Sequence, residues 1–140
     1  MKEIIGFDSN ILVYAFNADE KDKHKKAFDL INNVSNREIK GFLSIQNLNE
    51  LFYVLTNKKI KEVKEAEKIV QSILNSDRWI IKSITKETTN LAIELSKNNK
   101  GHYWDNLIAA NLILNGVTKI YTENVKDFKS DIIKPINPFN

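Results

Sequence analysis

The chain has 140 residues, a formal net charge of +3, 42% hydrophobic and 28% charged side chains, and no cysteine. That length predicts one domain, residues 1–140, with a core of its own, and the balanced composition excludes wholesale disorder. The lack of cysteine excludes disulfide frameworks, cysteine–zinc sites and thiol nucleophiles, and two histidines, His24 and His102, leave little room for a histidine-rich metal site.

Ile4-Ile5-Gly6-Phe7 is short, apolar and ends at a carboxylate, which predicts a buried strand. Asp8, Ser9 and Asn10 are helix-capping types, and Ile11 to Phe16 begins an apolar helix. A second helix is expected from about Lys21 to Val34, with Ala27, Leu30, Ile31 and Val34 on one face. Residues 41–45 predict a second strand, and Leu48, Leu51, Phe52 and Leu55 recur at helical spacing after it, so residues 46–56 are a helix that carries Glu50. Residues 62–74 form another amphipathic helix, with Val63, Ala66, Ile69, Val70 and Ile73 inward. Trp79-Ile80-Ile81 is a third strand, and Thr85 caps a helix to about Asn98 that buries Leu91, Ala92 and Leu95. Residues 104–114 are a strongly apolar helix stopped at Asn115-Gly116. Residues 119–122 are a fourth strand, and Ile132-Ile133 a short fifth before Pro135 and Pro138 end regular structure.

Strands alternating with helices predict a three-layer α/β/α sandwich around a mainly parallel sheet of four or five strands. In such sheets the functional crevice lies at the C-terminal strand ends. Asp8 interrupts the first apolar stretch and no small-residue cleavage site follows, so no signal peptide is expected. No run approaches the roughly 18 apolar residues that span a bilayer, so no membrane association and a cytoplasmic location are expected.

Four acids fall near that sheet edge on separate segments: Asp8 after the first strand, Glu50 on the helix after the second, Asp105 at the start of the helix before the fourth, and Asp127 in the loop after it. Taken singly, Asp8 and Asp105 are ordinary helix-start acids and Asp127 ordinary loop surface. Glu50 sits in an apolar stretch, where part of its surroundings should be buried. Converging carboxylates raise one another's pKa, and a divalent cation removes that repulsion. Hard oxygen donors favour Mg²⁺ or Mn²⁺, one or two ions, which suit phosphodiester chemistry.

Phe7-Asp8-Ser9-Asn10-Ile11-Leu12, Asn49-Glu50-Leu51, Trp104-Asp105-Asn106-Leu107-Ile108-Ala109-Ala110 and Tyr121-Thr122-Glu123-Asn124-Val125-Lys126-Asp127-Phe128 resemble, in order and spacing, the four motifs of PIN-domain nucleases. Order and length together are similar to the VapC-type toxins of prokaryotic toxin–antitoxin pairs, over essentially the whole chain. The resemblance implies an Mg²⁺- or Mn²⁺-dependent endoribonuclease, a homodimer and inhibition by an antitoxin. It makes Asp8, Glu50 and Asp105 the metal-holding triad. Ser9 and Asn10 then orient Asp8, and Thr122 supports the fourth motif. Many members carry an aspartate two positions after that threonine, where this chain has Asn124, and others use the acid before the phenylalanine, Asp127 here. Asp127 is favoured as fourth catalytic and metal-binding acid, Asn124 as a neutral supporting ligand, and Glu123 as pointing elsewhere. Hydrolysis would proceed by in-line attack of an activated water on the scissile phosphate.

Lys58, Lys59 and Lys61, with Lys100, His102 and Tyr103, are candidates for a phosphate track or a base-stacking surface. Phe16, Tyr53 and Trp104 are candidates for the groove that takes an antitoxin segment, against core packing for each. The competing function is a non-catalytic PIN-like module that binds RNA or protein. Asn10 stands where a dehalogenase-type phosphatase has its second acid, and no glycine-rich loop follows the first strand as dinucleotide binding requires.

Overall fold

A computed structural model describes residues 2–140. Its elements run β1 (Ile4–Phe7), α1 (Ser9–Ala15), α2 (Asp22–Ser35), β2 (Lys40–Ser44), α3 (Ile45–Asn57), α4 (Val63–Leu74), β3 (Trp79–Lys82), α5 (Lys86–Asn98), α6 (Tyr103–Leu114), β4 (Lys119–Tyr121) and β5 (Lys134–Ile136). The strands form one sheet in the order β3-β2-β1-β4-β5, every neighbouring pair parallel. The expected α/β/α sandwich is therefore present, with five strands.

Side-chain alternation divides the sheet between two helical layers. Phe7 and Leu43, with Ile81 and Tyr121, belong to the core beneath α1–α4. Phe42 and Ile120 face the other way, onto Ala109 and Leu112 of α6. Phe7 is the centre of the first layer: its ring meets Trp79 edge-on at 5.0 Å and Tyr121 at 5.3 Å. In the second layer Gly6 is needed for close approach, because a Cβ there would lie 2.7 Å from Leu112 Cδ2. Helix α6 buries residues around most of its circumference, as a helix packed between a sheet and α5 must. It stops at Gly116, whose φ of +73° is the left-handed conformation expected there.

Three sequence expectations need correction. Ile132-Ile133 is not a strand, and Pro135 lies inside β5 instead of ending regular structure. Strand β5 is an edge, and Lys134 and Ile136 make the bonds to β4 (Lys134 N–H to the Thr118 carbonyl, Thr122 N–H to the Ile136 carbonyl). The ring nitrogen of Pro135 faces away from β4, where no donor is required. Val63 is the first residue of α4 and 59% exposed, because the helix has not yet reached the core at its first turn.

The strand order reverses at β1: β2 and β3 lie to one side, β4 and β5 to the other. This switch point opens a crevice at the C-terminal ends of β1 and β4.

Candidate active site

Asp8 follows β1 directly and caps α1. Its Oδ1 accepts the Ser9 N–H at 2.8 Å and its Oδ2 accepts the Thr122 hydroxyl at 2.7 Å. Thr122, buried at the end of β4, also accepts the Asn124 N–H at 3.0 Å. A single hydroxyl thus ties the first motif to the fourth. Ser9 is held from the other side: Asn47 Nδ2 donates to Ser9 Oγ at 2.9 Å. Asn47 is itself locked by a reciprocal cap, its Oδ1 accepting from the Ser44 backbone while its own N–H donates to Ser44 Oγ. Asn47 was missed as a site residue; Ser44-x-x-Asn47 at capping-box spacing after a strand was the available signal.

The acids feel one another's charge. Burial raises the Asp8 carboxyl above its ordinary value, bonds from Thr122 and Ser9 oppose the rise, and the charge of Asp127 adds to it. Asp105, in the first turn of α6, is raised by burial and then by Asp127 and Asp8, with His102 opposing. Glu50 is raised by burial and by Asp8, with the Ser9 hydroxyl opposing. The Glu50 residue itself lies on the exposed side of α3, more open than its apolar sequence neighbours suggested. All four acids therefore border one field. Asn124 has an exposed side chain, and it is Asp127, in the short turn Val125–Asp127, that both Asp8 and Asp105 feel.

Glu123 does point elsewhere. Its carboxylate accepts the Tyr14 hydroxyl at 2.6 Å and pairs with Lys23, which clasps the fourth motif onto α1 and α2. The α5–α6 loop has its own lock. Asn106, buried, donates to Ser96 Oγ at 3.0 Å and exchanges bonds with Asn99, whose Oδ1 takes the Gly101 N–H at 2.9 Å. This network sets the entry to α6, and with it Asp105.

Lys100 and His102 are exposed on that loop, with His102 as the N-cap residue of α6. The Tyr103 ring packs against the α5–α6 core and meets Trp104 edge-on at 5.5 Å, while Trp104 is 65% exposed. Lys58 and Lys59 line a groove of about 600 Å³ between α1 and α3 that Ser9, Asn10 and Glu50 also line. Phe16 packs against the core, whereas Tyr53 is exposed.

The donors fit a hard divalent cation. They are carboxylate oxygens from four segments, three of them raised by burial and mutual repulsion, beside a buried Asn10 Oδ1 that has no hydrogen-bond partner. Among the described residues no three acidic or histidine side chains stand close enough to cage an ion by themselves.

The PIN domain family matches residues 5–130 of the chain. Among solved structures the chain is similar to a toxin–antitoxin complex from Klebsiella pneumoniae (18% identity, 96% of this chain and 97% of that one, TM-score 0.69). It is also similar to VapBC2 from Rickettsia felis bound to a DNA fragment from their promoter (24%, 96% and 98%, 0.66). A third likeness is to the Sarcin-Ricin loop cleaving toxin VapC20 of Mycobacterium tuberculosis (15%, 83% and 86%, 0.62). No curated protein matches. At these identities the structural likeness shows the fold. No helix among the described residues is long and apolar enough to cross a membrane.

Proposed function

Because the chain belongs to the PIN domain family, we propose that it is an endoribonuclease of the VapC toxin type, a single domain over residues 1–140. The observation that carries this is the shared field of Asp8, Asp105 and Asp127, with Glu50 coupled to Asp8, at the switch point of the sheet. Asp8, Glu50, Asp105 and Asp127 hold one or two Mg²⁺ or Mn²⁺ ions. Bound there, such an ion would supply neutralisation of the scissile phosphate and of the charge that develops on it. Thr122 and Ser9 orient Asp8 and favour its charged form by donating to it, directly from the hydroxyl of one and the backbone of the other, against the burial that raises it. Asn47 and Asn106 act through Ser9 and the α6 entry, as positioning residues. His102 and Lys100, exposed beside Asp105, contact the RNA strand.

Similar chains are known as toxin–antitoxin complexes, which supports a cognate antitoxin as partner. The groove bordered by Ser9, Asn10 and Glu50 is open to such a segment. We further assign a homodimer in the cytoplasm. The deciding experiment is cleavage of a mixed RNA pool by pure protein with Mg²⁺ or Mn²⁺, with and without EDTA, beside Asp105→Asn. Metal-dependent cutting lost in the variant is expected. Equal cutting by the variant refutes the site, and RNA binding without cutting by the wild type favours a non-catalytic module.

A further inference from the structure

The chain contains 140 residues but only two arginines, Arg37 and Arg78, against a large excess of lysine. Both line the same small hollow, of about 110 Å³, at the N-terminal edge of β1, β2 and β3. Lys2 and Lys40 line it too, and Asp77 is the one acid in its wall. The hollow is thus four cations against one carboxylate, at the opposite end of the strands from the acid cluster.

Asp77 offsets only part of this charge. Its side chain is 79% exposed and stands 4.0 Å from Arg37 and 3.7 Å from Arg78, too far for hydrogen-bonded pairing. The Nε of Arg78 is buried and has no hydrogen-bond partner. A guanidinium presents Nε and a terminal nitrogen as a fork that matches two oxygens of a phosphate. Arg37 is carried at the end of α2 with φ of +64°, a left-handed turn that directs the chain back toward β2. An unspent donor, two guanidinium groups and two ammonium groups around a hollow of this size describe a receptor for a tetrahedral oxyanion.

We propose that this hollow binds a phosphate group, and that in function the group belongs to the RNA backbone, distal to the bond being cut. The second half rests on the ribonuclease reading above. Lys2 and Asp8 are separated by an extended run, which places the hollow about 20 Å from the acids at about 3.3 Å per residue. A short oligonucleotide seated at the acids does not reach it, whereas a long or folded RNA does.

The test has two arms. In the first, inorganic phosphate is titrated into the full chain and backbone amide NMR shifts are followed. Saturable shifts at residues 37–40 and 77–78 are expected, tightened by Asp77→Asn and abolished by Arg37→Gln with Arg78→Lys. The lysine variant keeps the charge and removes the fork. In the second, the Asp105→Asn protein binds a long single-stranded RNA across a salt series. Adding the two arginine substitutions should lower the slope of log affinity against log salt by roughly 0.7, the share of the one phosphate the hollow holds. Cleavage of a short oligonucleotide by the arginine variants should keep its wild-type kcat and KM.

Absence of saturable phosphate shifts in the folded wild type overturns the site. Phosphate shifts with an unchanged RNA salt slope overturn the RNA backbone as the source and leave free phosphate as the ligand. If the Asp105→Asn protein binds no RNA at all, the ribonuclease reading fails, while the phosphate titration still decides the hollow.

Discussion

Thr122→Val isolates the bond between the first and fourth motifs. Thr122 is 0% exposed, so no water replaces its hydroxyl. Valine keeps the branched shape and leaves Asp8 Oδ2 without its 2.7 Å donor. A hydrogen bond to a charged group contributes roughly 1.5–3 kcal/mol, and the Asn124 amide that loses its acceptor lies near the surface, adding at most about 1 kcal/mol. The variant should therefore unfold about 2–3 kcal/mol more easily at neutral pH, in urea with EDTA present. The effect is pH-dependent. Asp8 already titrates above its unfolded value of 3.8, because burial outweighs the bonds from Thr122 and Ser9. Its contribution to apo stability is thus full below 3.8 and is lost as pH rises through the folded value. Removing the Thr122 donor raises that folded value further. The gap between wild type and variant should open as pH rises through it and shrink in acid to the roughly 0.5–1.5 kcal/mol of a neutral hydrogen bond. A gap below about 0.5 kcal/mol at neutral pH, or one that does not change with pH, would refute the reasoning.

Asp105→Asn removes a raised carboxylate that accepts no hydrogen bond from the described residues. It should abolish cleavage yet leave apo stability at neutral pH unchanged or up by a few tenths of a kcal/mol, measured by denaturant titration. Saturating Mn²⁺ should stabilise the wild type by about 2.7 kcal/mol at a hundredfold excess over Kd, and Asp105→Asn by markedly less at the same concentration; equal thermal shifts would place the metal elsewhere. Glu123→Gln breaks the Lys23 pair but keeps an acceptor for Tyr14, so a small loss of stability in denaturant titration that vanishes at high salt is expected. Gly41→Ala would place a Cβ 2.3 Å from the Trp79 ring, and about 3 kcal/mol of destabilisation, or insoluble protein, should follow; a soluble variant of wild-type stability would mean that Trp79 shifts freely.

The fold was legible because its local signals agree with one another. Thr85 and Asn115-Gly116 behave as their residue types dictate, one accepting from the Thr88 backbone at the start of α5 and the other ending α6. The apolar spacing of α2 and α3 gives their inner faces, except that Phe52 at the edge of the α3 stripe stays exposed. Legibility failed where tertiary position decides. Pro135 is a breaker by propensity, yet an edge strand can seat it if its nitrogen faces outward, and edge status is a property of the whole sheet. Val63 satisfies the apolar period of α4 but starts the helix before the core is reached.

The site divides in the same way. The acids stand out in one dimension, because a carboxylate just past a strand, or in an apolar helix, is conspicuous. The residues that hold them do not, since Asn47, Asn106 and Glu123 look like ordinary polar surface until contacts across tens of residues are formed. Asn47 reaches Ser9 across 38 positions and Glu123 reaches Tyr14 across 109. This division has a physical basis. Charges that repel one another need the fold to hold them together, and neutral donors and distant ion pairs do so without adding to the negative field. Thr122 and Asn47 donate inward to Asp8 and Ser9, and Lys23 draws Glu123 away from the crevice. The fourth motif therefore contributes Asp127 to the field and withholds its nearest other acid.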